Sequence, residues 1–198
     1  MSRDAIRARY QQLVEEVGSG VTVVAATKYV DVAGMAVLAE AGVEIVGENR
    51  AQDLAAKHAA HGDAFRWHFI GHLQSRKTST VNALCELCHS LDSLSTARRL
   101  EIPALVQVNL SGEQTKSGVE ERELDAFLAE CPAEVVGLST MPPLSDDPEA
   151  SRPYFRRLRE LAAAHGLRQL SMGTTQDYRV AADEGATLVR VGAALFRD

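Results

Sequence analysis

The feature that most constrains this chain is an alternation: short apolar runs with strand character are separated, almost without exception, by segments with helix signals. The runs fall at about 21–27, 43–47, 66–70, 87–91, 103–110, 135–139, 168–171 and 187–191. The first, VTVVAAT, is nearly continuously apolar, as a strand buried on both faces of a parallel sheet must be. Eight such strands with helices between them are the count of a (β/α)8 TIM barrel in the α/β class. Ala5, Ile6, Tyr10, Leu13, Val14 and Val17 recur at helical spacing ahead of the first strand, so an extra N-terminal helix is expected. The last helix is short, Ala193 to Arg197. No linker or low-complexity tract interrupts the series, and residues 1–198 read as a single domain, short for this fold. The competing doubly wound sheet lacks its GxGxxG fingerprint.

Composition narrows the function. A net charge of −6 with no basic run argues against nucleic acid as a partner. No apolar run approaches a membrane span and the charged amino terminus is unlike a signal peptide, so a cytoplasmic protein is expected. Three cysteines, Cys85, Cys88 and Cys131, make no disulfide framework. The string CELCH at 85–89 has the form of a haem-attachment motif, but without an export signal or further ligands it reads as coincidence, and no metal site is expected. His68 and His72 are four apart on a strand, a spacing that brings ligands together on a helix instead.

In parallel barrels the chemistry sits at the carboxyl ends of the strands. Lys28 stands at the end of the first strand, before a helix that Asp31 can cap and Gly42 can close. It is either a solvated strand-end lysine or an amine drawn from water and able to form a Schiff base. Asn49, after the second strand, is a helix cap or an amide facing the barrel mouth. After the seventh strand, Ser171-Met172-Gly173 leads into a helix opened by Thr174 and Thr175; after the eighth, Gly192 and Ala193 open the last helix. Both turns offer glycine and helix N–H groups to a phosphate, in the two loops where such barrels bind one. Arg190 lies inside the last strand and needs a carboxylate partner or a ligand at the mouth. Lys116, Ser117 and Gly118 form a polar turn after the fifth strand, and Pro142 to Glu149 is a polar surface loop on the same face.

The segments VAATKYVD, VGENRAQD, WHFIGHLQSRK, VQVNLSGEQTKSG, GLSTMPP and LSMGTTQDYRVAADEGATLVRVGAALF resemble, in order, the motifs of the pyridoxal phosphate homeostasis proteins, single-domain relatives of the alanine racemase amino-terminal barrel. The resemblance implies that Lys28 holds pyridoxal 5′-phosphate as a Schiff base, that Ser171, Gly173, Gly192 and Ala193 bind its phosphate, that Arg190 faces the pyridine nitrogen, and that Asn49 lies beside the ring. It also departs from the family pattern: Ala193 stands where threonine is common, Arg76 where asparagine is common, and Thr174-Thr175-Gln176-Asp177 only partly matches the phosphate loop. A positive charge at the ring nitrogen weakens the ring as an electron sink. Racemases of this type draw a second base from an additional domain, and this chain ends just after its last strand. The expectation is therefore a monomeric carrier, not an enzyme, that buffers or delivers the cofactor, with PLP-dependent apoenzymes as recipients. The alternatives are a slow amino-acid racemase or a Schiff-base aldolase acting on a phosphorylated sugar.

Overall fold

The computed structural model describes residues 2–113 and 117–196. Lys116 of the expected polar turn and Arg197 of the expected last helix lie outside them. The strands are β1 (Thr22–Ala26), β2 (Ile45–Glu48), β3 (Arg66–Phe69), β4 (Leu87–Leu91), β5 (Ala104–Asn109), β6 (Val119–Glu120), β7 (Val135–Ser139), β8 (Gln169–Thr174) and β9 (Leu188–Val191). The helices are α1 (Arg3–Val17), α2 (Val32–Ala41), α3 (Ala51–His61), α4 (Thr78–Leu84), α5 (Leu94–Ala97), α6 (Leu124–Glu130), α7 (Arg152–Ala164), α8 (Tyr178–Asp183) and α9 (Ala193–Phe196).

All pairings are parallel, and they run β4-β3-β2-β1-β9-β8-β7-β5, with β4 pairing β5 to close the ring. The eight expected strands are the eight staves of this (β/α)8 barrel. The two-residue β6, which hydrogen-bonds to β5 beyond the staves, was not expected; two residues carry too little pattern to register. Val24, Ile45, Leu87, Leu105 and Leu188 fill the lower lumen, while the larger core lies between the sheet and the helices, around Leu38, Leu54, Phe155 and Leu158. Each such fully buried side chain contributes roughly 1.5–3 kcal/mol relative to exposure.

Helix α1 lies on α2, α8 and α9 through Ile6, Leu13 and Val17, whereas Val14, placed on the apolar face by its spacing, is exposed. Glu16 fastens this helix to α8: it accepts hydrogen bonds from Tyr178 and Arg179, and the Arg179 guanidinium foremost holds its carboxyl down at about 2.

Candidate functional site

A cleft of about 890 Å³ opens at the carboxyl ends of β1, β2, β8 and β9, lined among others by Lys28, Asn49, Thr175, Arg190, Gly192 and Ala193. Five of the seven residues expected at the site therefore meet in one place. Lys28 reaches it because β1 ends at Ala26 and the chain must turn into α2; Asp31 caps that helix by accepting from the Gly34 N–H at 2.7 Å, and Gly42 closes it at φ +86°. The lysine is exposed, its ammonium 4.8 Å from the centre of the Tyr29 ring. Asn49 is not the cap of α3; it lines the cleft, and its side-chain oxygen is buried without a hydrogen-bond partner.

Arg190 is 6% exposed and points up the lumen. Its Nη2 donates to the Thr140 carbonyl at 2.8 Å and to Met141 Sδ at 3.0 Å, while its Nε is buried and unpartnered. It has no carboxylate in contact among the described residues. Burial pulls the guanidinium down to about 10, with the more distant Asp177 opposing the shift.

The structure places the other two, Ser171 and Gly173, away from the cleft lining. Ser171 does not line the cleft; it faces the lumen with no exposure, and its hydroxyl meets His89 Nδ1 at 2.7 Å. Gly173 does not open a loop there either. Strand β8 continues to Thr174 through a register shift, with Gly173 at φ +91° and packed so closely under α8 that a Cβ would stand 2.5 Å from that of Ala181. The next helix accordingly starts at Tyr178, and Asp177 holds the turn by accepting from the Thr174 N–H at 2.7 Å.

The bulge delivers Thr175, which the sequence reading treated only as a helix opener. Its hydroxyl accepts long hydrogen bonds from the Gly192 and Ala194 N–H groups, at 3.3 and 3.4 Å. Gly192 eases its close approach to β1, since a Cβ would lie a tight 3.1 Å from the Ala26 carbonyl.

Beneath the site the lumen carries a chain of polar contacts: Ser171 Oγ to His89 Nδ1, His89 Nε2 to His68 Nδ1 at 2.9 Å, and His68 Nε2 to Glu86 Oε1 at 3.0 Å. Burial lowers both imidazoles, and for His89 the charges of His68 and Arg190 lower it further. Burial opposes the charge on Glu86, but hydrogen bonds from Arg66 and His68 prevail and hold its carboxyl below the ordinary range. With Glu86 ionised and both rings neutral, the protons are fixed: His68 donates to Glu86, His89 donates to His68, and the Ser171 hydroxyl donates to His89. The residues of CELCH are thereby parted, with His89 in the lumen and Cys85 and Cys88 buried thiols pushed up by burial to about 12 and about 11.

The barrel with a lysine at the end of its first strand places the chain in a defined class: it belongs to the alanine racemase N-terminal domain family, whose model matches residues 1–198. Within that class it is similar to proteins named pyridoxal phosphate homeostasis protein. That of Aquifex aeolicus is 41% identical over 175 residues, covering 78% of this chain and 77% of the relative; that of Escherichia coli K12 is 34% identical, covering 89% and 85%. Among solved structures, PipY of Synechococcus elongatus with PLP bound superposes with a TM-score of 0.88 at 30% identity, over 96% of this chain and 99% of that one. Alanine racemase from Corynebacterium glutamicum shares the fold, with a TM-score of 0.79 at 20% identity.

Proposed function

We propose that this protein is a pyridoxal 5′-phosphate-binding protein of cofactor homeostasis, holding the cofactor on Lys28 and buffering or delivering it. The observation that carries the reading is that two residues lining one cleft with the lysine each hold an unpartnered polar atom: Arg190 Nε is a buried donor without an acceptor, and Asn49 Oδ1 a buried acceptor without a donor. A pyridine nitrogen is an acceptor and a ring hydroxyl is a donor, so the residues present fit the group, and the unpartnered atoms cease to cost free energy when it binds. The cofactor supplies an aldehyde that an amine can capture and a ring that withdraws electrons.

The chain's own residues do the rest. Lys28 is the amine at the open side. Arg190, fixed by Thr140 and Met141, holds a positive charge at the lumen side and opposes protonation of a ring nitrogen placed there. Gly192 and Ala193 take the phosphate with Thr175 in place of Ser171 and Gly173, because among the described residues the Gly192 and Ala194 N–H groups meet that hydroxyl only at long range.

We read the protein as a carrier without turnover. The titratable side chains lining the cleft, among the described residues, are Lys28, Tyr29, Asp31 and Arg190. Tyr29 shares a loop with Lys28, Asp31 is spent on capping α2, and Arg190 is a fixed cation, so none of them supplies a base across the cleft from the lysine. Residues 1–198 act as one cofactor-binding domain, with apoenzymes as recipients and a monomer in the cytoplasm as the working form; no helix of the described residues is long and apolar enough to cross a membrane. Adding pyridoxal phosphate to the purified protein is expected to produce a visible absorption band that Lys28→Ala lacks. A wild type that stays colourless would overturn the reading.

A further inference from the structure

One buried ionic cluster is left unused by the site as described. Glu48, the last residue of β2, has no exposure. Gly47 faces Val24 and Ile70 in the lumen, so Glu48, one residue on, faces the helix layer. There it meets Lys57 of α3, whose side chain is 6% exposed and whose Nζ lies 2.5 Å from Glu48 Oε1. The same ammonium donates to the Thr27 carbonyl at 2.8 Å, and the Thr27 hydroxyl donates to Glu48 Oε1. Thr27 is held at every polar atom: its N–H donates to the Gly47 carbonyl at 3.1 Å, and its carbonyl also accepts from the Val30 N–H at 2.9 Å. The next residue is Lys28.

Two apolar side chains of similar volume would fill this space at no loss of stability, since desolvating two charges offsets most of their attraction. What apolar side chains cannot do is grip a backbone carbonyl from the helix side. Nζ on α3 and the carboxylate on β2 fix Thr27 between two elements of the frame, and hence fix the point from which Lys28 departs.

We propose that Glu48 and Lys57 are positioning residues that clamp Thr27, so that the amine of Lys28 meets an aldehyde-bearing ligand from one direction. The proposal rests on the Schiff-base reading of Lys28. It separates two parts of binding: anchoring of ring and phosphate, which uses Asn49, Arg190, Thr175, Gly192 and Ala193, and capture by Lys28, which alone needs the clamp.

The test replaces both charges, Glu48→Leu with Lys57→Met, and reads the protein with and without ligand. In the ligand-free variant, amide hydrogen exchange at Val30, whose N–H shares the clamped carbonyl, is expected to quicken about tenfold while the barrel strands keep their protection. Affinity for pyridoxal phosphate is expected to fall about tenfold, and affinity for pyridoxine phosphate, which has the ring and phosphate but no aldehyde, to change less than about twofold. Unchanged Val30 exchange, or equal losses for the two ligands, overturns the clamp. Should that variant not fold, Glu48→Gln with Lys57→Met keeps an acceptor for the Thr27 hydroxyl and is held to the same outcomes. Failure of the Lys28 reading is recognised separately, by wild-type protein that binds both ligands equally and yields no borohydride-stable adduct with pyridoxal phosphate.

Discussion

Two buried polar clusters lie on opposite faces of the barrel wall and solve the same problem in opposite ways. Outside the barrel wall, Glu48 and Lys57 remain a salt bridge because each holds the other and both hold Thr27. Inside the wall, His68 and His89 have no anion of their own except Glu86 at the rim, and burial, joined by the Arg190 cation at His89, leaves the rings neutral. Outside, charge survives by pairing; inside, it is given up, and the chain of neutral groups leaves Arg190 as the cation of the upper lumen. That isolation makes the arginine available to a ligand.

The largest break in this comparison comes from removing one partner of the ionic cluster. Lys57→Met alone strands a carboxylate with no exposure and is expected to cost about 3–5 kcal/mol in denaturant unfolding, whereas the double replacement with Glu48→Leu restores most of it. Equal losses for the single and double variants would mean that the pair is not acting as a pair.

The lumen cluster predicts a response to acid. Both imidazoles are lowered in the folded state from the ordinary value of 6.5, so the unfolded chain binds their protons first. The stability they contribute is complete above 6.5 and drains as pH falls below it towards their folded values, by about 1.4 kcal/mol per pH unit for each ring that stays neutral. Unfolding free energies measured between pH 7 and pH 5 are expected to fall more steeply in wild type than in His68→Gln with His89→Gln. A wild-type profile as flat as the variant's would refute the neutral assignment.

The smallest effect is at the rim. Glu86 is 40% exposed along its side chain, so Glu86→Gln, which removes the terminal charge but leaves a hydrogen-bonding amide, is expected to cost less than about 1 kcal/mol. Nitrogen NMR of the imidazoles checks the proton order: wild type carries hydrogen on Nε2 of both rings, and the variant relaxes that preference at His68 first.

These clusters also mark where the sequence stops being readable. Strands announced themselves through apolar runs because a barrel stave is buried on both faces, and the Asp31 cap and Gly42 stop are local signals that α2 obeys. Lys28, Asn49, Arg190, Gly192 and Ala193 reached the cleft because strand ends fix where loops begin. Ser171 and Gly173 lie off the cleft lining for a tertiary reason. Ser171 points into the lumen and bonds His89, and a bulge beyond it, where Gly173 packs against Ala181 and Tyr178, lengthens β8 and brings Thr175 to the cleft. Nor does any local pattern pair Glu48 with Lys57 or His68 with His89, which lie on separate elements and meet only when the barrel closes.

The central claim, that Lys28 is the residue that takes the cofactor, is tested most directly by mass. Protein mixed with pyridoxal phosphate, reduced with borohydride and cut into peptides is expected to carry one pyridoxyl phosphate group, on Lys28. A label that is absent, or that sits on another lysine while Lys28 remains free, would contradict the account.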